Sequence, residues 1–267
     1  MSKIIVLNSK GGVGKSTTST QILAPYLYVK NGKNDKVNLI EFDDENADSL
    51  SFESSEIISP KRVKIDGNDL DSALTDNVLD FENVVLDIGG NKTTTFVINS
   101  LIDSGIINAF DLIVIPLTDG EQDAVNAINV YKKIRENNED SKIIFALSRV
   151  NNSYDIEMQF LDFFGDNKGR LDNRVGLIEQ VAEADRNLIK IVDSDVIKYS
   201  RVFGITAFEL SQKDTAELKE KQKEALKEKD TERSKKIAYR LTITNKAIRY
   251  KDEVLKECFN AINEVME

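Results

Sequence analysis

Five apolar runs limit the fold more than any other feature of this chain: "KIIVL" (3–7), "KVNLIEF" (36–42), "NVVLDI" (83–88), "DLIVIPL" (111–117) and "KIIFALS" (142–148). A strand with one face in water alternates apolar and polar residues. These runs are close to continuously hydrophobic, which is the mark of strands buried on both faces in a parallel sheet covered by helices. Helix-like segments lie between them at 17–30, 93–103 and 121–136. The alternation predicts a doubly wound α/β domain, a mainly parallel sheet flanked by helices. Pro25 falls inside the first of these helices and should kink it. Residues 47–80 read as a short helix and two small strands or loops.

Composition removes several classes of chemistry. The 267 residues suffice for one large domain, or one domain with an appendage. No apolar run approaches the roughly 18–20 residues of a membrane span. The short run Ile4–Leu7 gives way at once to polar residues, so neither a signal peptide nor an anchor is expected at the N-terminus. Cys258 is the only cysteine, which excludes a disulfide framework and a thiolate metal cage and fits a reducing cytoplasm. With no histidine, chemistry must run on carboxylates, lysines, hydroxyls and backbone. The formal charge of −10 argues against a globally basic nucleic-acid binder but leaves room for a local patch.

Beyond Gly204 the chain has neither glycine nor proline. "DTAELKEKQKEALKEKDTERSKK" consists of strong helix formers, with Glu217/Lys221 and Glu232/Lys236 at helical pairing distance. Ile237, Leu241, Ile248, Leu255, Phe259 and Ile262 then recur near a helical period. The expected organisation is residues 1–212 as the α/β domain and 213–267 as a charged helical extension, exposed in its first half and packed in its second.

Directly after the first strand comes "NSKGGVGKSTTST" (8–20). A glycine-rich turn between strand and helix points successive N–H groups at phosphate oxygens, helped by the helix N-terminus. Gly11, Gly12, Val13, Gly14 and Thr17 belong to this cradle. Lys15 reaches the β- and γ-phosphates, and the Ser16 hydroxyl takes a place on magnesium. The usual glycine-first pattern is not met, because Ser9 stands where the first glycine belongs and a second lysine, Lys10, opens the loop.

"KGGVGKST" therefore resembles the phosphate loop of the ParA/MinD family of deviant Walker A ATPases, ParA-like branch, and the resemblance covers about residues 1–210. It implies a P-loop NTPase fold, ATP/ADP and magnesium as cofactors, and a homodimer assembled on ATP. In that dimer Lys10 reaches the phosphates bound by the partner while Lys15 serves its own nucleotide, so Lys10 is a catalytic candidate with the logic of an arginine finger. In "LIEFDDEN" Asp43 matches the aspartate that orients the attacking water. Glu41 matches the one near the magnesium shell, with a longer side chain than the family's aspartate. Both also fit a solvated acidic turn. In "FENVVLDIGG" Asp87 would hold magnesium through water, and Gly89-Gly90 would let the next loop follow the γ-phosphate; a turn-capping aspartate is the bland alternative. Pro116 precedes a loop and helix of the dimer face, and Arg149 in "FALSRVN" occupies a base-contact position.

Members of the family use one switch for several jobs. Too few cysteines exist for a metal-cluster carrier. From Arg233 to Lys251 seven basic residues (Arg233, Lys235, Lys236, Arg240, Lys246, Arg249, Lys251) occur without an acid, interleaved with Tyr239 and Tyr250. They suit non-specific DNA binding, or else form a solvated helix face. Lys198 and Arg201 are further DNA candidates. The acids of "KDEVLKECFNAINEVME" disfavour an amphipathic membrane helix. The expected function is ATP-dependent plasmid or DNA segregation in the cytoplasm, on the nucleoid if DNA binding holds, with hydrolysis slow until a ParB-like or other small DNA-binding protein stimulates it. The rival readings are an ATPase that positions a protein complex or conjugation machinery without DNA, and a nucleotide-binding scaffold that hydrolyses little.

Overall fold

Each of the five apolar runs is a strand, and two more join them. The structure, a computed structural model, describes residues 2–42, 48–64, 70–89, 92–166, 168–170 and 173–267. The strands are β1 (Ser2–Val6), β2 (Val37–Phe42), β3 (Ile58–Val63), β4 (Asn83–Ile88), β5 (Leu112–Leu117), β6 (Ile143–Val150) and β7 (Leu188–Val192). They form one seven-stranded sheet in the order β3-β2-β4-β1-β5-β6-β7, and every pairing is parallel.

The apolar runs are continuous because the sheet is covered twice. Ile5, Leu7, Ile40, Phe42, Leu86, Ile115 and Phe145 face one layer, built by α2 (Leu70–Leu79), α3 (Lys92–Asp103) and α4 (Glu121–Arg135). Their neighbours Ile4, Val6, Leu39, Val85, Val114 and Ile144 face the other layer. That layer holds α1 (residues 15–30), α5 (Asp195–Phe203), α6 (Ala207–Ser211) and the last part of α8 (residues 231–266). Successive strand residues point to opposite faces, so strict alternation of polarity would have left half of each strand wrongly placed.

The kink expected at Pro25 takes the form of a π segment, Ser19–Leu23, immediately ahead of the proline turn Ala24–Lys30. A widened turn there relieves the clash between a proline ring and the carbonyl four residues back, and the helix continues. The segment expected as a short helix and two small strands or loops holds a 3-10 turn (Asp48–Phe52), β3 and α2.

At the C-terminal end, α7 (Thr215–Lys227) and the start of α8 form a hairpin around a small buried cluster of Ala225, Ile237 and Leu241. Lys221 pairs with Glu217 there. Further along α8, Leu255, Cys258 and Ile262 enter the main core. Tyr26 donates to Asn263 at 2.8 Å and Lys142 to the Met266 carbonyl at 2.6 Å, which fixes the helix end across the sheet.

Candidate active site

In an open parallel sheet, ligands bind beyond the carboxyl ends of the strands, where the connections diverge to either side. Here that place is the end of β1, between β4 and β5. The loop leaving β1 is tied down from several directions. The Asn8 side chain donates to the Pro116 carbonyl at 2.6 Å and accepts from the Lys10 amide at 2.9 Å. The Thr94 hydroxyl bridges the carbonyls of Asn8 and Gly89, joining the start of α3 to the loop and to the end of β4. Gly12 and Gly14 have φ of 79° and 94°, a region that side chains with a Cβ enter only with strain. At Gly14 a Cβ would also stand 2.8 Å from the Ser148 Cβ, with the hydroxyl nearer still.

A cavity of about 330 Å³ opens above this loop. Gly11, Gly12, Gly14, Lys15, Ser16 and Thr17 line one wall, Glu41, Asp87 and Gly89 the inner end, and Ser148 and Arg149 with residues 191–194 the outer end. The structure thus gathers most of the residues singled out from the sequence. Val13 is buried beneath the loop. Arg149 sits at an irregularity of β6 with φ of 59° and donates to the Gly12 carbonyl at 3.3 Å. Asp43 and Gly90 lie outside the described residues.

The two lysines of the loop diverge. Lys15 is buried, and its ammonium donates to the Lys10 carbonyl at 2.8 Å, inside the turn. Lys10 stands at the rim, its side chain 40% exposed, and its ammonium pairs with Asp123 in the first turn of α4. Asp123 is itself buried and accepts from the Thr118 hydroxyl.

Glu41 and Asp87 are direct neighbours in the register of β2 and β4, and both are buried. Burial pushes the Asp87 carboxyl up to about 7, with the Lys15 ammonium and the Ser16 and Ser19 hydroxyls opposing and Glu41 adding to the rise. Two carboxylates and a hydroxyl beside a phosphate cradle are a hard oxygen donor set of the kind magnesium takes, completed by phosphate and water.

Sequence reasoning missed Asp123, Thr118, Asn8 and Thr94. Asp123 has a faint local signal, an acid in the first turn of a helix after a glycine, but nothing in the sequence ties it to Lys10. Arg201, singled out for DNA, lines this cavity and donates to the Thr17 hydroxyl at 2.8 Å.

The sheet order and the loop together define a P-loop fold, with the glycine turn at the end of the central strand β1. No family model and no curated protein matches the chain. Among solved structures it is similar to apo McdA from Cyanothece, at 14% identity and a TM-score of 0.51 over 100% of both chains. It is also similar to the cell division ATPase MinD of Pyrococcus furiosus (14% identity, TM-score 0.49, 92% of this chain and 99% of that one). A plasmid partition protein of Borrelia burgdorferi bound to AMPPNP matches at 18% identity and TM-score 0.45, over 73% of this chain and 88% of that one. At such identities the likeness is one of fold.

Proposed function

We propose that this chain is a magnesium-dependent ATPase of ParA type, a switch that closes into a homodimer over two ATP molecules. In this reading the dimer holds DNA non-specifically, and a ParB-like or other small DNA-binding protein triggers hydrolysis and release during segregation of a plasmid or other DNA. The observation that carries the reading is the divergence of the loop's two lysines. Lys15 is committed to the interior of its own loop, whereas Lys10 stands at the rim on a long stem, aimed at α4 and able to reach outward.

Phosphoryl transfer asks a protein for position and charge more than for covalent chemistry, which suits a chain lacking histidine. The amides of Gly11–Gly14 and the α1 N-terminus hold the phosphates, and Lys15 neutralises the β- and γ-phosphates. Ser16, Asp87 and Glu41 would hold magnesium, which would supply further neutralisation of phosphate charge. Asp43 orients the attacking water. Lys10, supplied to the partner's phosphates, is assigned the finger role, which in related chemistry accelerates hydrolysis ~10³–10⁵-fold. Arg149 contacts the base.

Residues 1–212 form the ATPase unit in this reading, and residues 213–267 carry the nucleic-acid face. Lys235, Tyr239, Lys246 and Arg249 share the solvent side of α8, and Tyr239 packs edge-on against Tyr199 of α5 with ring centroids 5.4 Å apart. Not every residue of the sequence patch serves equally. Arg233 is paired with Glu228 and Lys246 with Asp195, Arg240 turns into a groove beside Lys213 and Glu217, and Lys251 is largely covered. Among the described residues no helix is long and apolar enough to cross a membrane, and the apolar stripe of terminal α8 is spent on the core.

Sedimentation under a saturating non-hydrolysable ATP analogue tests the proposal. A dimer is expected for the wild type and a monomer for Lys10→Ala, while Asp43→Ala retains ATP and loses turnover. A wild type that stays monomeric refutes the reading. Salt-sensitive, ATP-dependent retention on non-specific DNA tests the cargo in the same way.

A further inference from the structure

The outer half of the cavity carries more positive charge than the phosphate loop accounts for. Ser194, Ile197, Lys198 and Arg201 all line it, and their spacing places them on one face of α5. Two of the four are cations and Arg149 joins them from β6, against one lining acid, Asp193; Lys198 also pairs with Asp195 at 3.8 Å, which leaves Arg201 and Arg149 as the excess. Arg201 reaches across the mouth to α1 and donates from its guanidinium to the Thr17 hydroxyl at 2.8 Å. Among the described residues it forms no ion pair, so a full positive charge rests against a neutral oxygen. Hydrogen bonds between a guanidinium and an anionic oxygen are roughly twice as strong as neutral ones, so an anion placed here has a large advantage over Thr17.

The order of residues along α1 says which part of a nucleotide arrives there. Lys15 and Ser16 face the inner end with Glu41 and Asp87, the end that takes the terminal phosphates and metal. Thr17 is the next residue, and the cavity runs from it outward to residues 191–194 and α5. Given the nucleotide-binding reading above, on which this inference rests, we propose that Arg201 is a nucleotide ligand. On binding, its guanidinium leaves the Thr17 hydroxyl for the α-phosphate, and α5 thereby closes over the nucleoside half of the substrate. Arg201 belongs to the nucleotide site, not to the DNA face for which its sequence position first suggested it.

The test is a titration with a fluorescent ADP, with competition by pyrophosphate, on wild type, Arg201→Gln and Arg201→Lys. Arg201→Gln is expected to weaken ADP about 10-fold. Arg201→Lys should recover part of that loss. Pyrophosphate, which needs only the inner phosphate positions, should compete within about 2-fold of wild type, in keeping with a contact confined to the α-phosphate. Unchanged ADP affinity in Arg201→Gln overturns the inference, and so does an equal loss for ADP and pyrophosphate, which marks a residue that merely braces the loop. Should the substituted chains not fold, phenylglyoxal labelling of the wild type decides: ADP is expected to protect Arg201 and pyrophosphate to leave it reactive, and the absence of ADP protection overturns the assignment. A wild type that binds no ADP at all removes the underlying reading as well, whereas tight ADP binding that ignores Arg201 removes this inference alone.

Discussion

Replacing Lys10 by methionine should destabilise the ligand-free chain, although Lys10 stands at the rim and looks like a surface residue. The reason lies in its partner. Asp123 is 6% exposed; one carboxylate oxygen accepts from the Thr118 hydroxyl and the other faces the Lys10 ammonium. Methionine keeps the apolar stem and removes only the charge, leaving a buried carboxylate without its counter-ion. Breaking a fully buried pair costs about 3–5 kcal/mol, and losing an exposed one costs about 0–1 kcal/mol. The Lys10 side chain is 40% exposed and the Asp123 side chain 8%, so the pair falls between these limits. An expected loss of about 1–2 kcal/mol corresponds to a midpoint about 2–4 °C lower in a chain of this size.

Thermal and urea unfolding of wild type, Lys10→Met, Asp123→Asn and the double variant form a cycle that isolates the pair. Asparagine needs no counter-ion, so Asp123→Asn should restore most of what Lys10→Met loses. A Lys10→Met variant within about 0.5 kcal/mol of wild type, the usual range for a featureless surface position, refutes the argument. A loss that Asp123→Asn does not relieve refutes it equally, because the cost then lies outside the pair. The same cycle bears on the switch. In the proposed dimer Lys10 leaves Asp123 to serve the partner, so Asp123→Asn should lower the ATP concentration at which that dimer forms.

The Asp87 carboxyl, pushed from 3.8 up to about 7 by burial, holds in the folded chain a proton that the unfolded chain has already released. Metal-free stability, measured by urea unfolding in EDTA, should therefore fall as pH rises from about 4 to about 7, and Asp87→Asn should flatten that fall. Gly14→Ala combines a left-handed φ with a collision at Ser148, and calorimetry should show a destabilisation of about 1–3 kcal/mol with nucleotide binding lost. Lys235→Glu with Arg249→Glu should reduce the salt slope of DNA retention by about one per side chain, whereas Arg233→Glu, removing a cation already paired with Glu228 and Glu224, should change it less.

The strands buried on both faces were legible because their pattern is local: a continuous apolar run has few other uses. The helix expected at 121–136 is Glu121–Arg135 for the same reason. The sheet's two edges were less legible: β3 was expected only as a small strand or loop within 47–80, and β7 was not expected. β3 reads "ISPKRV", and Pro60 argues against a central strand, yet an edge tolerates a residue that donates no ladder bond. β7 reads "LIKIV", with Lys190 exposed between buried Ile189 and Ile191, too short to outweigh the polar residues around it. The phosphate loop was legible down to single residues, since its glycines answer to backbone geometry within the same stretch. Asp123 and Arg201 were not. Their meaning depends on Lys10 and Thr17, far away in sequence, and only the order of strands in the sheet brings each pair together.

In the proposed switch, that dependence would let one bound nucleotide govern the whole molecule. The phosphate loop is fastened separately to four strand ends. Asn8 holds the end of β5, Thr94 joins the loop to the end of β4 and the start of α3, Arg149 reaches it from β6, and Arg201 meets Thr17 from the helix after β7. Lys10 adds a fifth tie, to the first turn of α4. Each fastening is only one or two polar contacts, strong enough to set the loop in the ligand-free chain and weak enough for a phosphate oxygen to displace or tighten it. In the proposed switch a triphosphate in this cavity would compete for Arg201 and one in the partner's cavity for Lys10, while the Asn8 and Thr94 anchors stay in place. Of the two helices tied by these cations, α4 lies on the proposed dimer side, and α5, drawn over the nucleotide in the inference above, leads to the C-terminal helices. A conformational switch needs a ligand that interacts differently with two arrangements of the same contacts, and here the difference resides in two cations whose present partners are a carboxylate and a hydroxyl of the chain itself.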